Sequence, residues 1–352
     1  MGLAIIFFFA LDAAAFRTGH YASILEPNST AGFLQSFLWT ERHRALDGPN
    51  QVLATGDSRI PLRARIANAA GTGYTFATIA VPGTTPRCWY YMLRDVDPDR
   101  KRYAAIVLSA NRYDDREYED PTDRDLDIRY LTPILRLGDL FEFGWSFPTW
   151  NNRGYAVGSI LLKGTAYRRD FQDYLVNHKW RQKLVQFENR EGGQARYNAQ
   201  WGTDSLAGMS VDWKTRTVDL PAWMTDPGRR QNTADLLLRD APPLTSEFAA
   251  YRRRWLGKIV ARYRGTRTKL IFVRLARGPV VRPNLPLDEG GTLREYAAHG
   301  EVMLLDEHLF DELERPELFG DALHMNGAGG EIFSRKLASE LRRVLGPPQG
   351  AR

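Results

Sequence analysis

The sequence predicts an α/β fold built on a mainly parallel sheet of five strands, with a long insertion. Three observations carry this prediction. Short apolar runs end in Gly, Pro or Asn turns. Amphipathic helical stretches alternate with them. The alternation stops near residue 114 and resumes near residue 245. The 352 residues suffice for one large domain with an insertion or for two smaller ones. An apolar share of 43% and a charged share of 26% are ordinary for a globular chain and argue against wholesale disorder.

The elements follow in order. Gln51–Thr55 reads as the first strand and runs into Gly56-Asp57-Ser58. Ile60–Ala70 reads as a helix. Tyr74–Val81 is the second strand, ended by Pro82-Gly83, and Thr84–Val96 is an aromatic-rich helix. Tyr103–Leu108 is the third strand, ended by Ser109-Ala110-Asn111. The stretch of about 115–240 is polar, weakly periodic and rich in Trp, Tyr, Gly and Asn, so it reads as an insertion of helices and irregular loops. Such an insertion serves as a lid or groove, or as padding or a partner surface, and the sequence leaves both open. Its Trp145, Trp150, Trp180 and Trp201 suit stacking on sugar rings or a core equally well. Ser246–Tyr263 is then an amphipathic helix, Lys269–Leu275 the fourth strand and Leu293–Ala298 a short helix. Val302–Leu305 is the fifth strand. The last helix repeats Phe333, Leu337, Leu341 and Leu345 at four-residue spacing and closes a domain over 50–346.

The N-terminus is a separate feature. Leu3–Phe16 is almost wholly apolar and carries Asp12, and Arg17 is the first positive charge. Three readings stand: a membrane signal-anchor that starts upstream, a cleaved signal segment, or a buried core helix. A helix apolar on all sides favours the membrane readings. Residues 1–16 are therefore expected to be an anchor or signal segment and 17–49 a stalk. The expected location is extracytoplasmic, membrane-anchored or secreted.

Charge excludes less. The net charge is +6, from 48 basic and 42 acidic residues. The densest basic run, Arg252–Arg254, is interleaved with Phe248, Tyr251, Trp255 and Ile259 at helical spacing. It reads as the solvated face of an amphipathic helix, with no signature of a nucleic-acid module. Cys88 is the one cysteine, so no intrachain disulfide forms, and no Cys/His group has zinc-ligand spacing. No metal or cofactor is expected.

The chemistry converges on strand ends. Ser58 follows a parallel strand, where ligands bind in open α/β sheets, and it is expected at a helix N-terminus that favours a developing anion. A serine needs a base. His324 supplies one, with Asp321 three residues earlier to hold the imidazole. The backbone N–H groups of Ser58 and Gly83 and the amide of Asn111 are expected to form an oxyanion hole. His308, after Asp306-Glu307, is the other His beside carboxylates.

Gly56-Asp57-Ser58, Gly83, Asn111 and Asp321-Ala322-Leu323-His324, in that order, resemble the blocks of the SGNH/GDSL hydrolase superfamily. The resemblance covers about residues 50–114 and 245–346. It departs at Ser58-Arg59-Ile60, where Ser-Leu is usual, and at Ser109-Ala110-Asn111-Arg112, which lacks the Gly before and the Asp after Asn. It implies a flavodoxin-like three-layer α/β/α sandwich and a catalytic triad of Ser58, His324 and Asp321. It further implies an esterase or O-acyltransferase acting on acyl esters of a cell-surface polysaccharide or similar polymer. The apolar N-terminus followed by such a domain is similar to a membrane-tethered subgroup that partners membrane O-acyltransferases. A non-catalytic domain of the same fold, binding a polymer or scaffolding such a transferase, is the alternative.

Overall fold

A parallel sheet buries both faces, so its strands read as continuous apolar runs rather than alternating ones. The strands of this chain do. The computed structural model describes residues 2–117, 119–191, 202–240, 242–282 and 290–349. Among them the helices are α1 (Gly2–Phe16), α2 (Thr30–His43), α3 (Ala64–Ala69), α4 (Pro86–Val96), α5 (Asp125–Leu131), α6 (Leu140–Gly144), α7 (Trp150–Leu161), α8 (Lys163–Ala166), α9 (Arg168–Glu191), α10 (Pro227–Leu238), α11 (Ser246–Tyr263), α12 (Thr292–Ala298) and α13 (Gly327–Leu345). The strands are β1 (Gln51–Gly56), β2 (Thr75–Ala80), β3 (Ala105–Ala110), β4 (Ser210–Asp212), β5 (Thr217–Asp219), β6 (Lys269–Arg274) and β7 (Met303–Leu304).

The chain divides into two compact units. One consists of Ala45–Pro82, Asp99–Glu119 and Tyr197–Arg352 and holds the five-stranded sheet, in the order β2-β1-β3-β6-β7, with every neighbouring pair parallel. Helices flank the sheet as a three-layer α/β/α sandwich. Counting its strands alone, the order is 2-1-3-4-5, the flavodoxin-like arrangement. On one face Val52, Ala54, Ala105, Val107, Ile271 and Val273 pack against Phe333, Leu337 and Leu341 of α13. Residues of the opposite parity, Leu53, Ile106, Leu108 and Phe272, are buried as well. The antiparallel ribbon β4–β5 belongs to the same unit.

Gly56 ends β1. A methyl at this position would overlap Ser109 Oγ and come within 2.9 Å of Ser109 Cβ on the neighbouring strand. The glycine is therefore required by the approach of β3, where the sequence argument assigns it to the turn. Gly56→Ala is expected to destabilise the fold by about 1–3 kcal/mol, as overpacking does. Gly56→Ala/Ser109→Gly should recover much of that loss. Chemical denaturation of both variants checks it.

The expected helix over 60–70 starts only at Ala64. Pro61 supplies no N–H and biases Ile60 toward extended backbone, so the chain crosses to α3 as an extended segment. The fifth strand is likewise short, Met303–Leu304.

The other unit is helical and consists of Met1–Arg44, Gly83–Pro98 and Asp120–Arg196. The stretch expected as a stalk contains α2, capped by Ser29 Oγ, which accepts from Gly32 N at 3.0 Å. Leu34, Phe37 and Leu38 of α2 are buried, and the helix packs on α4, α5 and α9. The expected insertion is thus shared: 120–196 lies in the helical unit and 197–240 in the sheet unit. Arg87 of α4 and Asp127 of α5 form a fully buried ion pair at 2.8 Å, joined by Thr85 Oγ1 and the Cys88 thiol. Burial pushes the Cys88 thiol well up.

Asp12 lies at the docked end of α1. Its carboxylate accepts from Gly164 N at 2.7 Å and Lys163 N at 3.2 Å, at the start of α8. The charge that interrupts the apolar run is therefore bound to backbone N–H groups. No helix among the described residues is long and apolar enough to cross a membrane.

Candidate active site

β1 delivers Ser58 to a half-buried turn just beyond the carboxyl edge of the sheet. Ser58 is six residues ahead of α3, so the expected helix N-terminus is not at the serine. Pro61 is the reason, as above. What Ser58 meets instead is an imidazole: His324 Nε2 lies 2.9 Å from Ser58 Oγ.

The loop before α13 is built to hold that imidazole. Phe319 and Met325 form an antiparallel bridge, and Gly320 N donates to His324 O at 2.9 Å. Asn326 closes the loop on the helix side. Its Oδ1 caps α13 by accepting from Gly329 N at 3.0 Å, and its Nδ2 donates to Glu317 O at 2.8 Å and Asp204 O at 3.0 Å. Within this loop Asp321 Oδ1 accepts from the N–H groups of Leu323 and His324, both at 2.7 Å. The carboxylate then meets His324 Nδ1 at 2.9 and 3.0 Å. A carboxylate on Nδ1 fixes the proton there and turns the Nε2 lone pair to the serine hydroxyl.

Burial alone raises the Asp321 carboxyl, but the bonds to His324 and the two N–H groups outweigh it and hold the group below its usual 3.8. Asp57, buried beside Ser58, behaves alike. Burial raises it, and the Arg59 guanidinium and backbone N–H, with His324, bring it below 3.8. A carboxyl depressed in the folded chain lends stability above its unfolded value, and that stability is lost as pH falls through the lower folded value. The fold is therefore expected to lose stability below about pH 4, with Asp57→Asn flattening part of the loss. Thermal unfolding between about pH 6 and pH 2 checks this; an unchanged acid slope in Asp57→Asn contradicts it.

Asn111 is placed by register. Thr55 pairs with Leu108, and Ser58 and Asn111 each follow three residues later, just beyond the ends of these adjacent parallel strands. β1 and β3 connect onward to opposite sides of the sheet, which makes this the switch point where flavodoxin-like sheets bind ligands. Asn111 Nδ2 donates to Glu117 Oε2 at 3.0 Å. Arg252 in turn pairs with Glu117 and, at 3.2 Å, with Asp115. Arg252 is buried, contrary to its reading as part of a solvated face. Asp115 also accepts from the Thr292 N–H and hydroxyl, and Arg252 of α11 supplies the cation between the two carboxylates. Asn111 and Glu117 are six residues apart, but nothing local in the sequence links them to Arg252, which lies 135 residues beyond Glu117.

Gly83 belongs to the helical unit and is not among the groups that the sheet unit itself brings to Ser58. It has φ +64°, and a Cβ there would come within 2.9 Å of Arg124 Nη2. His308 is exposed, its Nδ1 2.7 Å from Asp311 Oδ2. Trp145, Trp150 and Trp180 are exposed, and Trp201 lies outside the described residues. Among the described residues no His, Cys, Asp and Glu cluster has the arrangement to hold a metal ion.

Scanned against protein-family models, the chain matches none. No curated protein and no solved structure matches it either.

Proposed function

We propose that the chain is a serine esterase or O-acyltransferase of the SGNH type, working on carboxylic esters through an acyl-serine intermediate. The observation that carries this reading is the unbroken line Asp321–His324–Ser58, with contacts of 2.9 Å on both sides of the imidazole. It joins residues far apart in sequence at the switch point of a parallel sheet, where a nucleophile has access to ligand.

In this mechanism Ser58 Oγ attacks the ester carbonyl carbon while its proton passes to His324 Nε2. The tetrahedral oxyanion collapses, the ester bond breaks, and the leaving alkoxide takes the proton from Nε2. Water or a sugar hydroxyl then attacks the acyl-Ser58 carbonyl, gives its proton to Nε2, and releases the serine, which recovers the proton. Asp321 stabilises the imidazolium in both halves. The Ser58 backbone N–H and Asn111 are the proposed oxyanion donors. The proposed substrate is an acylated carbohydrate or similar polymer outside the cytoplasm, with a membrane O-acyltransferase as partner.

A second reading rests on Asn111. Its amide already serves the Glu117 carboxylate, as in a domain that keeps the sheet but uses it for polymer binding or scaffolding. Fluorophosphonate labelling separates the two, since only an activated serine is phosphonylated.

A further inference from the structure

α9 is two helical segments joined across a kink at Asn177, whose backbone is not helical (φ −113°, ψ 21°). Beyond the kink Arg181 and Glu188, seven residues apart, are buried and hold the second segment to its unit. Arg181 pairs with Asp170 at 2.9 Å, with Glu26 at 3.4 Å and with Asp173. Much of the rest of the helix faces outward. Leu175, Val176, Trp180 and Phe187 are exposed, Val176 by 78% and Trp180 by 67%. Arg168, Arg169, Lys179 and Lys183 are exposed among them. Asp173, the carboxylate near this surface, is bonded to Arg181 and Asn177.

A solvated helix face carries charge of both signs and few large apolar side chains. This one mixes large apolar residues with lysine and arginine. That combination suits the boundary of a bilayer, where apolar side chains enter the acyl region and cations meet anionic headgroups. At its start α9 also touches α1. Phe16, at the end of α1, stacks edge-to-face on Phe171 with ring centroids 5.7 Å apart, and Leu3, Ile6, Phe7, Phe8 and Leu11 of α1 are exposed.

We infer that the outward face of α9 beyond Asn177 is a membrane-surface site, seating Trp180 and Phe187 in the interface and reading anionic headgroups through Lys179 and Lys183. It is a contact separate from α1 and does not rest on the acyl chemistry.

The test is co-sedimentation of the full chain with phosphatidylcholine vesicles, with and without phosphatidylglycerol. The wild type should partition more strongly onto the anionic vesicles, and less so as salt rises. Lys179→Gln/Lys183→Gln should weaken that partitioning about thirtyfold and leave binding to phosphatidylcholine alone unchanged. Lys179→Arg/Lys183→Arg should restore it. Trp180→Ser should weaken binding to both compositions. Equal partitioning onto both compositions, indifference to the Lys→Gln changes, or failure of the arginine pair to restore binding overturns the inference. So does a vesicle-free dimer that Trp180→Ser abolishes, because that assigns the face to a second copy of the chain.

Discussion

Ser58→Ala is expected to lower ester turnover by about a million-fold, with the fold intact. The magnitude follows from the role proposed for Oγ. With no atom to be acylated, the reaction has only bound water as nucleophile and whatever oxyanion donors remain. The fold should tolerate the change because Ser58 occupies a half-buried turn outside the sheet and its cores. Loss of one hydroxyl and its contact to His324 falls within the range of about 1 kcal/mol expected for a single hydrogen bond. Steady-state rates alongside a thermal melt check both halves. Turnover retained by a folded Ser58→Ala chain contradicts the mechanism.

Asp321→Asn is expected to cost about ten-thousand-fold in kcat while KM changes little. An asparagine Oδ1 can still accept from the N–H groups of Leu323 and His324, so the loop keeps its shape. Its amide, however, donates where the carboxylate accepted. His324 Nδ1 is then forced to be the acceptor, the proton moves to Nε2, and Nε2–H points at a serine whose proton it has to take. The imidazolium also loses its counter-charge. A loss shared equally by kcat and KM, or a loss below tenfold, would place Asp321 in loop structure rather than in the chemistry.

Much of this site is legible in the chain because it depends on local rules. A buried run such as Gln51–Thr55 reads as a strand without its neighbours, and Asp321 and His324 are close enough in sequence for spacing alone to pair them. The parallel sheet follows from the same alternation of strand and helix, whereas its flavodoxin-like order is implied only by the resemblance. Long-range pairings are another matter. Arg252 reads as a surface residue from its own helix, yet it is buried against Asp115 and Glu117, more than a hundred residues earlier. Gly56 reads as a turn residue, yet Ser109 is what excludes its side chain. Pro61 is the one local signal that delays α3, and it marks the helix boundary more reliably than the apolar residues around it. The helical unit is assembled from three separate pieces of chain, and only the third begins near a shift in composition. Asp12 shows the same limit. It reads as a flaw in an apolar segment, and its purpose is visible only beside Lys163 and Gly164.

The central claim is that Ser58 is an activated nucleophile, and fluorophosphonate labelling tests it most directly. The wild-type chain should be labelled on Ser58, with labelling absent in Ser58→Ala and strongly slowed in His324→Ala. A folded wild-type chain that stays unlabelled, or labels equally in all three, contradicts the catalytic account and favours the scaffold reading.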